Sequence, residues 1–268
     1  MVFGIKNGAI ELKGDSMYYI RFGRGSKNLI MLPGLGDGLT TVKGKALPMA
    51  FLYRAFAKEY TVYMFSRRNH LPDGASTRDM VRDVKEAMDK LGIDRADLVG
   101  VSMGGMIAQH FAADYPDRIN KLVLVVTCAK ASSLLIESVH EWMDFARKGD
   151  HVSFMDSNVR RMYSEAYYRK NKLLVPVMGR LTKPKSYDRF YIQANACITH
   201  DASEKLSKIQ SPTLIIGGEQ DRALGGEPSR ALFAKIPGAI LKMYPEWGHG
   251  LYEEAKDFNQ VVLEFLKK

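Results

Sequence analysis

The chain has 268 residues, of which 46% are hydrophobic and 26% are charged. This composition predicts a soluble globular protein, because no apolar run approaches the roughly 20 residues that cross a bilayer. The formal charge of +9 comes from scattered Lys and Arg residues, and the densest stretch, 160–172, is interrupted by Glu165. We therefore expect neither nucleic acid nor a membrane as a partner.

The two cysteines, Cys128 and Cys197, are too few for a disulfide framework and lack metal-ligand spacing. We expect buried free thiols and no metal site. Residues 1–15 contain no continuous apolar core, which argues against a secretory signal. These features predict a cytoplasmic protein.

The hydrophobic period switches repeatedly along the chain. Short apolar, β-branched or aromatic runs predict strands at 17–22, 29–32, 61–65, 98–101, 122–126, 213–216 and 239–244. Helical patterns lie between most of them, at 47–58, 76–91, 105–115, 228–235 and 253–266. This alternation, after an initial hairpin-like pair, predicts an α/β fold with a largely parallel sheet and helices on both faces.

Residues 131–208 interrupt the alternation, because they contain helix-favouring stretches and no convincing strand. A plain loop of this length is uncommon in a compact domain. We therefore predict a helical cap, 131–208, packed on a core of 1–130 and 209–268. Its large side chains are interpreted as cap core rather than substrate contacts: Trp142, Phe145, Met155, Met162, Tyr187 and Phe190.

The stretch DLVGVSMGGMIAQHF, at 97–111, places Gly-x-Ser-x-Gly between a predicted strand and a predicted helix. Gly100 and Gly104 permit a sharp turn around Ser102, which is the context of a nucleophilic serine. Such a serine needs a histidine base and an acid that orients the base. His249 follows the last predicted strand, and Asp221 follows the strand before it, with Glu219 as the alternative acid.

The other histidines are weaker candidates for the base. His110 is predicted to face away from the turn, and His70 is predicted at the surface. His140, His151 and His200 belong to the 131–208 segment, where we expect them to face solvent or to make contacts within the cap.

The chain order Ser102, Asp221, His249 resembles the capped α/β-hydrolase family over nearly the whole chain. The resemblance implies a twisted, mostly parallel sheet of about eight strands flanked by helices, with the cap inserted after strand 6. It also implies an oxyanion hole built from the backbone N–H groups of Met103 and Leu35. Gly36 remains the alternative to Leu35, because the loop LPGLGDG has Pro33 where the family commonly has histidine.

These residues predict a serine hydrolase that cleaves a small or medium carboxylic ester through an acyl-enzyme, without a cofactor. The resemblance leaves C–C bond hydrolysis, lactone hydrolysis, acyl transfer and cofactor-free perhydrolysis open on the same three residues. A ligand receptor without catalysis is a further alternative. Lys43, Lys45 and Arg67 lie near the predicted catalytic edge and could bind an acidic substituent, although we expect them to be solvated.

Overall fold

An eight-stranded sheet lies at the centre of the computed structural model, which describes residues 4–268. The strands are β1 (Lys6–Leu12), β2 (Asp15–Phe22), β3 (Lys27–Leu32), β4 (Tyr60–Arg68), β5 (Ala96–Val101), β6 (Ile119–Val125), β7 (Thr213–Gly218) and β8 (Ile240–Tyr244). Their order is β1-β2-β4-β3-β5-β6-β7-β8. β2 pairs antiparallel with β1 and β4, and all other pairs are parallel. The predicted α/β fold with a mostly parallel sheet is confirmed.

The chain forms eleven α-helices within the described residues. They are α1 (Ala46–Leu52), α2 (Asp79–Lys90), α3 (Met103–Asp114), α4 (Ser133–Arg147), α5 (His151–Met162), α6 (Glu165–Asn171), α7 (Val175–Leu181), α8 (Asp188–Ile198), α9 (Glu227–Lys235), α10 (Leu251–Glu254) and α11 (Phe258–Lys267). One face of the sheet packs on α2, α3 and α9, and the other packs on α1 and α11. The central strands read as continuous apolar runs because both faces are covered.

Two predicted helices are interrupted in the structure, and one strand is not predicted from the sequence. The predicted helix 47–58 ends at Leu52 and continues as a 3₁₀ turn, Arg54–Phe56. The predicted helix 253–266 is two helices, because Ala255 has extended backbone between α10 and α11. β1 was not recognised as a strand, because this edge strand buries only Ile10 and Leu12 and therefore carries little apolar signal.

Five helices, α4–α8, lie between β6 and β7, and we call them the helical insertion. Three of them begin at a side-chain cap, because Ser132, Asp150 and Ser164 each accept a backbone N–H three residues ahead. Inside the insertion, a cluster of rings packs together: Trp142, His151, Phe154, Tyr187 and Phe190. None of the helices formed by residues 4–268 is long and apolar enough to cross a bilayer.

Candidate active site

Ser102 lies in the turn between β5 and α3 and has strained backbone angles, φ 52° and ψ −119°. Residues other than glycine rarely adopt positive φ, and such strain concentrates at functional sites. Two hydrogen bonds hold the turn: Ser102 N–H donates to Val125 O at 2.8 Å, and Thr127 Oγ1 donates to Ser102 O at 2.8 Å. The end of β6 and the residues that follow it therefore hold Ser102 in its strained conformation.

The glycines around Ser102 are required because the backbone is crowded there. A Cβ at Gly100 would lie 2.5 Å from Gly104 O, and a Cβ at Gly104 would lie 2.0 Å from Leu32 O. Real Cβ atoms do not approach backbone oxygen so closely. The predicted sharp turn from strand to helix therefore depends on glycine at both positions.

His249 and Asp221 form a buried pair at the same edge of the sheet. His249 Nδ1 lies 2.7 Å from Asp221 Oδ2, and the two side chains are 5% and 1% exposed. Asp221 Oδ1 accepts the backbone N–H groups of Ala223 and Leu224, both at 2.9 Å. Because a carboxylate only accepts, Nδ1–H is the donor and Nε2 is left as the basic nitrogen.

The alternative acid, Glu219, lies elsewhere. Its carboxylate pairs with Arg230 of α9 at 2.5 Å, and its side chain is 33% exposed. The loop that carries His249 passes close to the end of β7. A Cβ at Gly218 would lie only 2.4 Å from Trp247 O of that loop. This close approach brings His249 to Asp221 and not to Glu219.

The loop after β3 lies beside the serine. A Cβ at Gly34 would lie 3.3 Å from Ser102 Cβ and 3.8 Å from Ser102 Oγ. Leu35 follows and begins a 3₁₀ turn, Leu35–Gly38. Met103 is the first residue of α3, where backbone N–H groups have no partner within the helix and the helix dipole is positive. Both amides are thus adjacent to the predicted nucleophile.

Ser102 and His249 line one cavity of about 360 Å³. Its walls are mostly apolar. The sheet, segment 46–56 and α11 contribute Met31, Met49, Tyr53, Phe56, Met64, Val99, Phe258 and Val262. The helical insertion contributes Leu135, Val139, Trp142, Phe154, Met155, Asn158, Met162 and Phe190. The cavity that contains the two predicted catalytic side chains is therefore lined by apolar residues of both the core and the insertion.

Six aromatic and methionine side chains of the insertion were interpreted as core rather than substrate contacts. Four of them line the cavity: Trp142, Met155, Met162 and Phe190. Trp142 and Phe190 are also buried, at 5% and 1% exposure, so that the same side chains serve as core and as cavity wall. Phe145 and Tyr187 pack on the core cluster without being part of this wall.

The three cations predicted near the site have different environments. Lys43 is exposed beside Tyr18. Lys45 lines the cavity, and burial lowers the pKa of its ammonium group although Asp37 opposes the shift. Arg67 is only 3% exposed, so our expectation of solvation was wrong for this residue. Its Nη2 donates to Pro33 O at 2.5 Å, which anchors the loop beside Ser102.

No pattern in the sequence indicates the ion pair between Arg189 and the buried Asp37. Arg189 Nη2 donates to Asp37 Oδ2 at 3.0 Å, and Nη1 donates to Asp37 O at 2.8 Å. Asp37 Oδ2 also accepts the backbone N–H of Arg67 at 3.0 Å. The pair ties α8 of the insertion to the loop beside Ser102.

The remaining histidines do not line the cavity. His70 is exposed and bonds Asp15 at 2.9 Å, as expected for a surface residue, and His140 is also exposed. His151 is buried in the insertion against Tyr187. His200 is buried too, but it packs on the core: its ring lies 5.2 Å from that of His110, and its Nδ1 lies 2.9 Å from Thr77 Oγ1.

Comparisons with known proteins agree with this architecture. Residues 27–256 match the family model described as alpha/beta hydrolase fold. A 2-hydroxy-6-oxononadienedioate/2-hydroxy-6-oxononatrienedioate hydrolase of Pseudomonas putida is 27% identical over 98% of this chain and 94% of its own length. A 2-hydroxy-6-oxo-6-phenylhexa-2,4-dienoate hydrolase of Burkholderia cepacia is 31% identical over 69% of this chain and 67% of its own length.

A solved structure shows the same likeness. It is the crystal structure of an alpha/beta hydrolase enzyme from a Medee basin deep-sea metagenome library. It superposes with a TM-score of 0.84 at 25% identity, and the match covers 97% of this chain and 98% of that one. Nearly every element described above therefore has a counterpart there.

Proposed function

The chain belongs to the alpha/beta hydrolase fold family, and from this premise we propose that it is a serine hydrolase that cleaves a carboxylic ester through an acyl-enzyme. The observation that carries the proposal is that His249, paired with the buried Asp221, lines one mostly apolar cavity together with the strained Ser102. A hydroxyl is a weak nucleophile until a base takes its proton, and this arrangement supplies the base and its orienting acid.

In the proposed mechanism, Ser102 Oγ attacks the ester carbonyl while His249 Nε2 takes the hydroxyl proton. Asp221 holds the Nδ1–H and stabilises the imidazolium that forms. The oxyanion accepts hydrogen bonds from the backbone N–H groups of Met103 and Leu35. The intermediate collapses, the alcohol leaves with the proton from His249, and a water molecule then cleaves the acyl-enzyme by the same steps.

The cavity supports an apolar substrate without net charge. Its charged lining, within residues 4–268, consists of Asp37, Lys45 and Glu253 together with the catalytic His249. Asp37 is already paired with Arg189, and Glu253 accepts the hydroxyl of Tyr163 at 2.7 Å. Apolar walls on both sides of Ser102 suit an acyl group on one side and an alcohol group on the other. We place small and medium esters first, with residues 131–208 acting as a cap.

C–C bond hydrolysis is the second candidate, because relatives of this chain carry that name. The same attack on a ketone would break a C–C bond, and the carbon that leaves would take a proton. Lys45 is the one ammonium group among the cavity-lining residues that the structure describes. A substrate with one carboxylate and an apolar phenyl group, like that named for the B. cepacia enzyme, suits this lining better than a dicarboxylate.

The test is labelling with a fluorophosphonate, read by intact mass, on the wild type, Ser102→Ala and the exposed control Ser207→Ala. We expect one label on the wild type and on Ser207→Ala, and none on Ser102→Ala. Turnover of p-nitrophenyl esters from acetate to octanoate, beside 2-hydroxy-6-oxo-6-phenylhexa-2,4-dienoate, separates the two candidates. Label or turnover retained in Ser102→Ala would refute the role of this serine, and a folded wild type that takes no label would favour a ligand receptor.

We also propose a cytoplasmic location. Cys128 and Cys197 are both buried free thiols, as predicted, and burial raises the pKa of each. Unpaired cysteines are typical of reducing compartments. The proposal would be contradicted by fractionation that finds the native protein secreted into the medium.

A further inference from the structure

The helical insertion carries an exposed apolar surface that the proposed reaction does not use. Six of the twelve exposed large hydrophobic side chains in residues 4–268 lie between Tyr167 and Leu181. We call five of them the α7 surface: Leu173, Leu174, Val177, Met178 and Leu181. Leu173 is 82% exposed and Leu181 is 76% exposed. A concentration of this kind marks an interaction site, whereas single exposed hydrophobics do not.

The inner face of α7 is already occupied. Val175 is buried, and a Cβ at Gly179 would lie 2.9 Å from Val152 Cα of α5. α5 also contributes Met155, Asn158 and Met162 to the cavity wall, whereas no residue of α7 lines that cavity. α7 therefore packs on a helix of the cavity wall, and its other large apolar side chains are largely exposed to solvent.

Positively charged residues flank the α7 surface along the chain. Segment 165–185 contains six cations and a single acid, so it contributes +5 to a chain whose formal charge is +9. The cations are Arg169, Lys170, Lys172, Arg180, Lys183 and Lys185. Glu165 pairs with Arg169 at 2.9 Å. Lys170, Lys172, Arg180 and Lys185 form no ion pair within the described residues.

We propose that the α7 surface docks the protein on an anionic lipid surface. Exposed leucines flanked by Lys and Arg are the composition of interfacial helices, in which apolar side chains enter the acyl boundary and cations contact acidic headgroups. A second copy fits this face poorly, because a two-fold contact would bring the same cations together. The proposal revises our expectation that no membrane takes part, and it does not depend on the proposed reaction.

The test is co-flotation with vesicles of phosphatidylcholine alone and of phosphatidylcholine with about one third phosphatidylglycerol. We expect the wild type to float only with the anionic vesicles and to be released as NaCl rises from about 0.1 M to about 0.5 M. Leu173→Glu/Leu181→Glu should need at least about tenfold more lipid for half binding. Lys170→Glu/Lys172→Glu should also need more lipid than the wild type for half binding to the anionic vesicles.

The matched control is Phe233→Glu/Ile240→Glu, which places two acids at exposed apolar positions outside the helical insertion. Phe233 is 45% exposed and Ile240 is 51% exposed. We expect this control to float like the wild type, and thermal melting checks that all variants fold. The proposal is overturned if the wild type does not float, if it floats equally on neutral vesicles, or if Leu173→Glu/Leu181→Glu floats unchanged. A dimer in ultracentrifugation that Leu173→Glu/Leu181→Glu converts to a monomer would assign the surface to a second copy instead.

Discussion

The edge of the sheet beside Ser102 is shaped by its backbone, whereas the helical insertion is held together by side-chain packing. At the edge, glycines at 100, 104 and 218 leave no room for side chains, and backbone N–H groups hold the Asp221 carboxylate that pairs with His249. The insertion relies on packed rings and leaves an apolar surface uncovered. The comparison teaches that the proposed chemistry depends on backbone geometry, while the part of the cavity wall that the insertion supplies depends on side-chain packing.

The two regions are joined by polar contacts close to the site. Arg189 of α8 bonds Asp37 in the loop that carries Leu35. Just past α8, His200 Nδ1 lies 2.9 Å from Thr77 Oγ1, which precedes α2. The Gly250 N–H, next to His249, donates to Met162 O at 2.6 Å. Displacement of the insertion would therefore disturb both loops that carry the proposed catalytic groups. The predictions below probe each side of this boundary, from the largest expected effect to the smallest.

Asp221→Asn should remove most of the activity without unfolding the protein. An amide in place of the carboxylate no longer fixes Nδ1–H on His249 and cannot stabilise the imidazolium, so kcat should fall about 10⁴-fold. The matched control is Glu219→Gln, which touches only the Arg230 pair and should change kcat less than about threefold. Steady-state kinetics on a p-nitrophenyl ester measure kcat for both variants. Equal losses of kcat in the two would contradict the assignment of Asp221 as the acid.

Gly104→Ala should destabilise the core by about 4 kcal/mol or more, because its Cβ would overlap Leu32 O at 2.0 Å. The control is Gly36→Ala, where a Cβ would meet nothing within 4 Å and the free energy of unfolding should change by less than about 0.5 kcal/mol. Urea unfolding measures both. A stable Gly104→Ala protein would mean that the strand and helix can separate at the turn.

Arg189→Met should weaken the boundary between the two regions. The variant leaves the Asp37 carboxylate, 1% exposed, without its charged partner, which should cost about 3 kcal/mol of unfolding free energy. Arg147→Met is the control, because its 2.6 Å pair with Asp144 is on the surface and should contribute less than about 0.5 kcal/mol. Urea unfolding and kcat are measured together; we also expect kcat to fall for Arg189→Met alone, since Asp37 belongs to the loop of Leu35.

Acid should destabilise the packing of the segment after α8 on the core through two buried histidines, His200 and His110 of α3. Burial lowers the pKa of His110 to about 4 and that of His200 to about 3. Both values lie below the unfolded value of about 6.5, so the unfolded chain binds more protons below that pH. The stabilisation is complete above about pH 6.5 and is lost as the pH falls, by about 2 kcal/mol for one histidine at pH 5.

Urea unfolding of the wild type and His200→Asn at pH 7.5 and pH 5.0 measures this loss. The variant should lose about 2 kcal/mol less than the wild type between the two pH values. His140→Asn, at an exposed position of the insertion, should lose as much as the wild type. Parallel losses in all three proteins would exclude His200 as a source of acid sensitivity.

The sequence determined the α/β fold and the order of its elements, because a change of hydrophobic period is a local signal that each segment carries by itself. It also located the strained turn, since Gly100, Ser102 and Gly104 lie within five positions and their steric requirement is short-range. It failed at β1 and at the break between α10 and α11, where few apolar residues record the pattern.

Tertiary structure alone decided which groups meet across the chain. Asp37 and Arg189 are 152 positions apart, and Thr77 and His200 are 123 positions apart, so no local pattern could reveal either contact. It also placed Asp221 beside His249 and Glu219 beside Arg230, although the two acids are two residues apart. The exposed face of α7 has the same origin. The sequence does not show whether a given apolar side chain is buried or exposed, because its burial depends on which elements pack against it.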